Sequence, residues 1–212
     1  DFTQLTNINR DKIYPDNGTY ANEPDFKTKE YIVERGKAYG IDFVLKYEKK
    51  QFYLWGVYSL GKVTRDDGIR TYSPHFDRRH NMNLVGAYTF GKHMNWELNV
   101  RWNYGSGFPF TKTAGFYEYL NFANGLYTDP TTANGYLGIS YGDLNQGRLP
   151  DYHRMDISLK KTLLLSEHSE MEILASLINV YNRENIFYFD RIRYKRVNQL
   201  PVLPSLGVNM TF

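Results

Sequence analysis

The 212-residue chain contains no cysteine, which excludes a disulfide scaffold and any thiolate metal site. It contains no run of 18 apolar residues, which excludes a membrane-spanning helix. Strands escape that test, because the lipid-facing residues of a barrel alternate with wet ones and the mean hydropathy stays low. An excess of one charge sign is lacking too. With 26 Lys and Arg against 23 Asp and Glu the net charge is +3, no basic run stands out, and nothing calls for a nucleic-acid partner. The five histidines, His75, His80, His93, His153 and His168, form no spaced ligand motif. Neither a Gly-rich phosphate loop nor a Gly-x-Ser-x-Gly elbow occurs, and Gly105-Ser106-Gly107 precedes no helical segment. The expectation is a protein that is not an enzyme, with no metal and no cofactor. Asp66-Asp67-Gly68 offers carboxylates to calcium or forms a polar turn.

Aromatics are what the chain has in abundance: Tyr 19, Phe 13 and Trp 3, or 17% of the residues. They favour strands, and amphipathic Tyr and Trp also favour membrane–water interfaces. Residues 1–35, broken by Pro15, Gly18 and Pro24, read as a weak first strand and a long loop. From there the period is two. Ile41, Phe43, Leu45 and Tyr47 alternate with Asp42, Val44, Lys46 and Glu48. Residues 52–64 form a second strand whose start is apolar on both parities, so its faces stay unassigned. Leu84, Tyr88 and Phe90 share a face of the next strand, roughly 80–91. The clearest pattern is 95–104, where Trp96, Leu98, Val100, Trp102 and Tyr104 alternate with Asn95, Glu97, Asn99, Arg101 and Asn103. Alternation resumes at 152–163, then in a strand at 170–181 and in Leu206, Val208, Met210 and Phe212 at the end.

Short turns at 49–51, 91–93 and 166–169 alternate with long loops at 66–79, 105–148 and 182–202. Outer-membrane barrels have this asymmetry, with tight periplasmic turns and extended outer loops. Counting back from the C-terminus puts every short turn, and Phe212, on the periplasmic side. The fold expected is all-β: seven strands and one more near the N-terminus, each long enough to cross the hydrocarbon when tilted. These would form the C-terminal portion of a larger antiparallel transmembrane β-barrel. The chain opens with Asp1, without an initiator Met or a leader, and is expected to begin partway through a longer protein.

Five segments, in this order, resemble the closing strands of TonB-dependent outer-membrane receptors, in particular those of Bacteroidota: KAYGIDFVLKYEK (37–49), NYGSGFPFT (103–111), GRLPDYHRMDISLKK (147–161), LINVYNREN (177–185) and LPSLGVNMTF (203–212). The resemblance covers roughly residues 30–212 and takes in 1–212 as one C-terminal barrel segment. It implies roughly 22 strands around a plugged lumen, with the plug and the N-terminal strands upstream of Asp1. It further implies uptake of a scarce solute across the outer membrane of a Gram-negative cell. The partners implied are outer-membrane lipid, TonB acting through the plug, and a surface lipoprotein. Ser205, Gly207, Met210 and Phe212 resemble the polar, glycine, hydrophobic and terminal aromatic places of the signal read by the barrel-assembly machinery.

Candidate site residues fall in two places. Glu97, Asn99 and Arg101 would face the lumen, where they line a solute path, meet the plug or belong to a generic ion-pair lattice; the same alternatives hold for Arg148, Tyr152, Arg154 and Asp156. In the 105–148 loop, Tyr117, Tyr119, Tyr127, Tyr136 and Tyr141, with Phe116 and Phe122, would stack on a sugar, chelator or peptide, or pack against neighbouring loops. His80 and His153, at the outer ends of strands, are expected to make loop-anchoring hydrogen bonds. The alternatives to an energised receptor are a passive porin or small structural barrel, and a soluble β-sandwich such as a carbohydrate-binding module. The sandwich would bury the Trp/Leu/Val face against a second sheet.

Overall fold

The computed structural model describes residues 2–8, 30–119, 136–166, 169–190, 193 and 195–212. Among these residues there is no helix, and fifteen strands follow one another. They are β1 (Phe2–Ile8), β2 (Tyr31–Lys49), β3 (Phe52–Asp66), β4 (Thr71–Tyr72), β5 (His80–Phe90), β6 (Trp96–Gly105), β7 (Pro109–Phe110), β8 (Thr113–Tyr119), β9 (Tyr136–Tyr141), β10 (Gly147–Arg148), β11 (Tyr152–Ser166), β12 (Ser169–Ile178), β13 (Ile186–Asp190), β14 (Lys195–Asn198) and β15 (Leu203–Thr211). Eight of them make one sheet in the order β1-β2-β3-β5-β6-β11-β12-β15, with β4 beside β3. The pairs β1–β2, β3–β5, β5–β6, β6–β11, β11–β12 and β12–β15 are antiparallel. The path does not close, since β1 and β15 stand at its two ends.

The chain divides into two compact units. One comprises Asp1–Ala38, Val63–Asp77 and Pro109–Arg148; the other comprises Tyr39–Lys62, Arg78–Phe108 and Leu149–Phe212.

In the first unit the expected loops contain strands of their own. The stretch 105–148 carries the β8–β9 hairpin and the β7–β10 ribbon, a correction to the plain loop read from its Gly, Asn and Thr. β2 also begins at Tyr31, ten residues before its clean alternation starts. Glu34 explains why, because this charge is not on a loop. It is buried, accepting a hydrogen bond from the Tyr72 hydroxyl at 2.5 Å and pairing with Arg65 at 3.2 Å. Asp77, equally buried, accepts the Val63 amide at 2.9 Å and the Arg148 guanidinium at 2.7 Å. Asp66 and Asp67 turn their carboxylates onto Gly68, Ile69, Arg70 and Thr71. That is the polar-turn arrangement rather than an open calcium cradle.

The second unit is a sheet with two unlike faces. Cross-strand register puts Phe90, Tyr88, Leu84 and Met82 of β5 opposite Trp96, Leu98, Trp102 and Tyr104 of β6. It puts Leu159, Ile157 and Met155 of β11 opposite Leu98, Val100 and Trp102. The same face continues through Ile173, Ala175 and Leu177 of β12 into Val208, Leu206 and Pro204 of β15. Register also settles the undecided strand: Phe52 opposes Tyr88 and Leu54 opposes Gly86, so Phe52, Leu54, Tyr58 and Leu60 lie on this face. Aliphatic rungs occupy its middle and aromatic ones its two ends. Phe52, Tyr88, Phe90 and Trp96 gather toward the short turns, Tyr58, Trp102 and Tyr104 toward the long loops. No hydrophobic side chain among the described residues is buried, so the sheet has no dry core on either side.

Turn chemistry suits the short connections. Lys50 and Gly91 adopt positive φ (51° and 97°), and the Met94 amide donates back to the Gly91 carbonyl at 3.2 Å.

Candidate functional site

The opposite face of the second unit is polar over β6 and β11 and mixed over β3 and β5, where register places Tyr53, Trp55, Val57 and Val85. On β6, Glu97, Asn99, Arg101 and Asn103 take the alternate positions; β11 sets Lys160, Ser158, Asp156 and Arg154 directly across from them. β12 adds Glu172 and Ser176 to the same face. At the short-turn end the groups pair off. Lys160 Nζ lies 3.2 Å from Glu97 and 3.5 Å from Glu172, and the Asn99 amide donates to Glu97 at 2.8 Å. Farther along, Arg154 binds Asp156 at 2.9 Å, the other Asp156 oxygen accepts the Asn179 amide at 3.0 Å, and Asn103 donates to Asn83. Between these clusters lies a depression of about 280 Å³, lined by the polar residues Asn99, Arg101, Asp156, Ser158 and Ser176 and by apolar ones that include Val85, Leu177 and Ile178. Such a surface can hold a polar solute through hydrogen bonds or meet a second polar wall.

The chain matches no protein-family model, no curated protein and no solved structure.

The sequence candidates separate on this geometry. Glu97 and Asn99 belong to the ion-pair lattice, whereas Arg101 makes no hydrogen bond or ion pair with the described residues and opens into the depression. Lys160, Glu172 and Ser176 complete the surface and went unremarked in the sequence. Their signal was available, since each sits at an alternate position of its strand, but only register shows that these strands neighbour β6.

The tyrosines lie in the first unit. Tyr117 and Tyr141 are exposed. Tyr119 and Tyr136 face each other as a backbone pair of the β8–β9 hairpin, and Tyr127 and Phe122 lie outside the described residues. Ser205 and Gly207 fall on the polar face of β15 and Met210 on the apolar one. Phe212, which follows, is strongly exposed.

The two histidines tie loops to strand ends in the second unit. His80 shares a hydrogen bond with the Tyr58 hydroxyl at 2.8 Å, and its backbone exchanges bonds with Ser106. His153 meets the Tyr181 hydroxyl at 2.7 Å, while Asn185 bonds its backbone on both sides. Asp151 closes the same end, accepting the Tyr104 hydroxyl at 2.7 Å and the Gly107 amide at 3.0 Å. Its carboxyl is held below the ordinary aspartate range, first by the Tyr104 hydrogen bond and then by the Gly107 amide.

Proposed function

We propose that the chain forms part of the wall of an outer-membrane β-barrel, the closing strands of a TonB-dependent receptor that takes up a scarce solute. The observation that carries this reading is the apolar face: continuous over six strands, aliphatic in the middle, aromatic at both ends, with no buried hydrophobic side chain beneath it. Each large apolar side chain left in water forgoes roughly 1.5–3 kcal/mol of burial. A face this size would forgo tens of kcal/mol, more than the roughly 5–15 kcal/mol that holds a whole domain together. Lipid removes the deficit, and aromatic ends flanking an aliphatic middle are the arrangement of the interfacial girdles of such barrels. Among the described residues no second sheet packs on this face, so a β-sandwich finds no support.

The polar face then lines a wet interior, and the long loops lie outside the cell with Phe212 at the periplasmic side. The receptor character, the plug through which TonB acts, the surface lipoprotein and recognition by the assembly machinery rest on the five resembling segments. A passive barrel shares the wall and differs in lacking a plug.

Fractionation of Gram-negative cells making the protein is the test. It should sediment with outer membranes and need detergent for extraction. In reconstituted vesicles, brominated lipid should quench the fluorescence of Trp96 and Trp102 far more than that of Trp55, which register places on the polar face. Extraction by buffer alone, or equal quenching of the three, would overturn the barrel.

A further inference from the structure

The loop end of the polar face carries positive charge without a matching acid. Arg101 opens into the depression with no partner among the described residues, and Asp156, the nearest acid in register, is already engaged by Arg154 and by the Asn179 amide. Arg78 is the more unusual of the two unmatched groups. Its guanidinium carbon stands 4.1 Å from the Phe108 ring centroid and 5.6 Å from that of Tyr152. Its Nε is shut off from solvent with no hydrogen-bond partner. Gly105, which register sets opposite Tyr152, makes the room: a methyl group there would run into the guanidinium. The sheet has therefore built a partly dry, ring-walled seat for a cation, and among the described residues it supplies no counter-ion. Burial pulls the Arg78 pKa down from the ordinary arginine value, yet the group stays charged at neutral pH. The two rings flank the guanidinium, and its planar fork is the group that receives a carboxylate through two parallel hydrogen bonds.

We propose that Arg78, seated between Phe108 and Tyr152, is a carboxylate-binding residue, and that Arg101 adds a second positive charge drawing acidic groups to the same face. Two sources of carboxylate share this chemistry: an acidic solute, and an acidic side chain of the polypeptide itself. Calling the ligand a solute rests on the uptake reading; the carboxylate site does not.

The test uses the full-length protein in detergent, with citrate as the probe. Phenylglyoxal modification of each arginine is followed by peptide mass spectrometry, in citrate or in sodium chloride of equal ionic strength. Citrate should slow modification of Arg78 at least fivefold and leave Arg183, which already donates to the Asp151 carbonyl, unchanged. By calorimetry, R78Q should weaken citrate binding tenfold or more, and R78K, which keeps the charge and loses the fork, should recover only part. G105A should weaken it comparably with every charge retained. Heat-modifiable gel mobility confirms that each variant folds. If Arg78 is blocked without citrate and 1 M sodium chloride unblocks it, the occupant is a carboxylate of the chain, and the site stands. Full reactivity that citrate does not slow, or a block that salt does not lift, overturns the proposal. Buffer-soluble protein that still shows citrate protection would remove the barrel and keep the site; membrane-bound protein whose Arg78 reacts fully in citrate would do the reverse.

Discussion

Asp151 is exposed, yet three connections meet on it. Its carboxylate takes the Tyr104 hydroxyl and the Gly107 amide, and its carbonyl takes the Arg183 guanidinium at 2.8 Å. Because the folded pKa lies below the unfolded value of about 3.9, the contribution is fully present above that value and is lost as pH falls through the folded one. Solvent screens an exposed carboxylate, so the effect is local. Amide exchange at Gly107, corrected for its intrinsic rate, should lose protection only below about pH 4. D151A, which removes the acceptor, should lose the same protection at neutral pH, and equal protection in both proteins at pH 7 would refute the role. Gly107 itself has no latitude, since an added Cβ would enter the Leu149 carbonyl. Backbone cannot swing aside as a side chain does, so G107A should cost about 1–3 kcal/mol in a urea titration. Gly207, with nothing near its added Cβ, is the control: G207A should stay within about 0.5 kcal/mol of wild type.

At the scale of the element, a strand is defined here by its two faces, and the faces set opposite rules for charge. Leu98 sits mid-strand on the apolar face, opposite Tyr88 and Leu159; its neighbour Asn99 points to the polar face opposite Ala87 and Ser158. An arginine on the lipid side near the bilayer midplane costs roughly 2–4 kcal/mol, whereas the wet side tolerates it. L98R should therefore cut the amount of protein reaching the outer membrane severalfold, with N99R near wild type, as read by blotting of isolated membranes. The reverse order would mean that the faces are assigned the wrong way round. β6 and β11 were legible from sequence because large apolar and polar residues alternate strictly in them. β3 was not, because Phe52, Tyr53, Leu54 and Trp55 satisfy both parities and only pairing with β5 decides between them. The β8–β9 hairpin was hidden for a related reason: its strands are short, and Gly115 and Gly138 interrupt any alternation. Arg78 looked like one more charge in a polar loop. Its character comes from Phe108 and Tyr152, 30 and 74 positions along the chain, and no local pattern announces a contact made at that range.

For the whole molecule the deciding feature is the pair of sheet edges. Among the described residues β15 has a neighbour only on its β12 side, and every one of its residues is exposed. Along β2 the stretch from Ala38 to Lys49 has no β1 residue in register beside it. An edge of that kind in water is merely solvated. In lipid each unpaired donor or acceptor costs several kcal/mol, so two open edges together outweigh the stability of an ordinary domain. The eight strands can avoid this by closing on themselves as a small barrel or by joining further strands in a larger wall. Residues 1–212 expressed alone and refolded into detergent decide between these. If the strands belong to a larger wall, the segment should give no heat-modifiable monomer and should aggregate through its edges, while the longer polypeptide refolds to a species that migrates faster unheated than boiled. A compact, protease-resistant monomer made from 1–212 alone would show that these strands close by themselves. The receptor reading would then yield to that of a small barrel, with the apolar face unchanged.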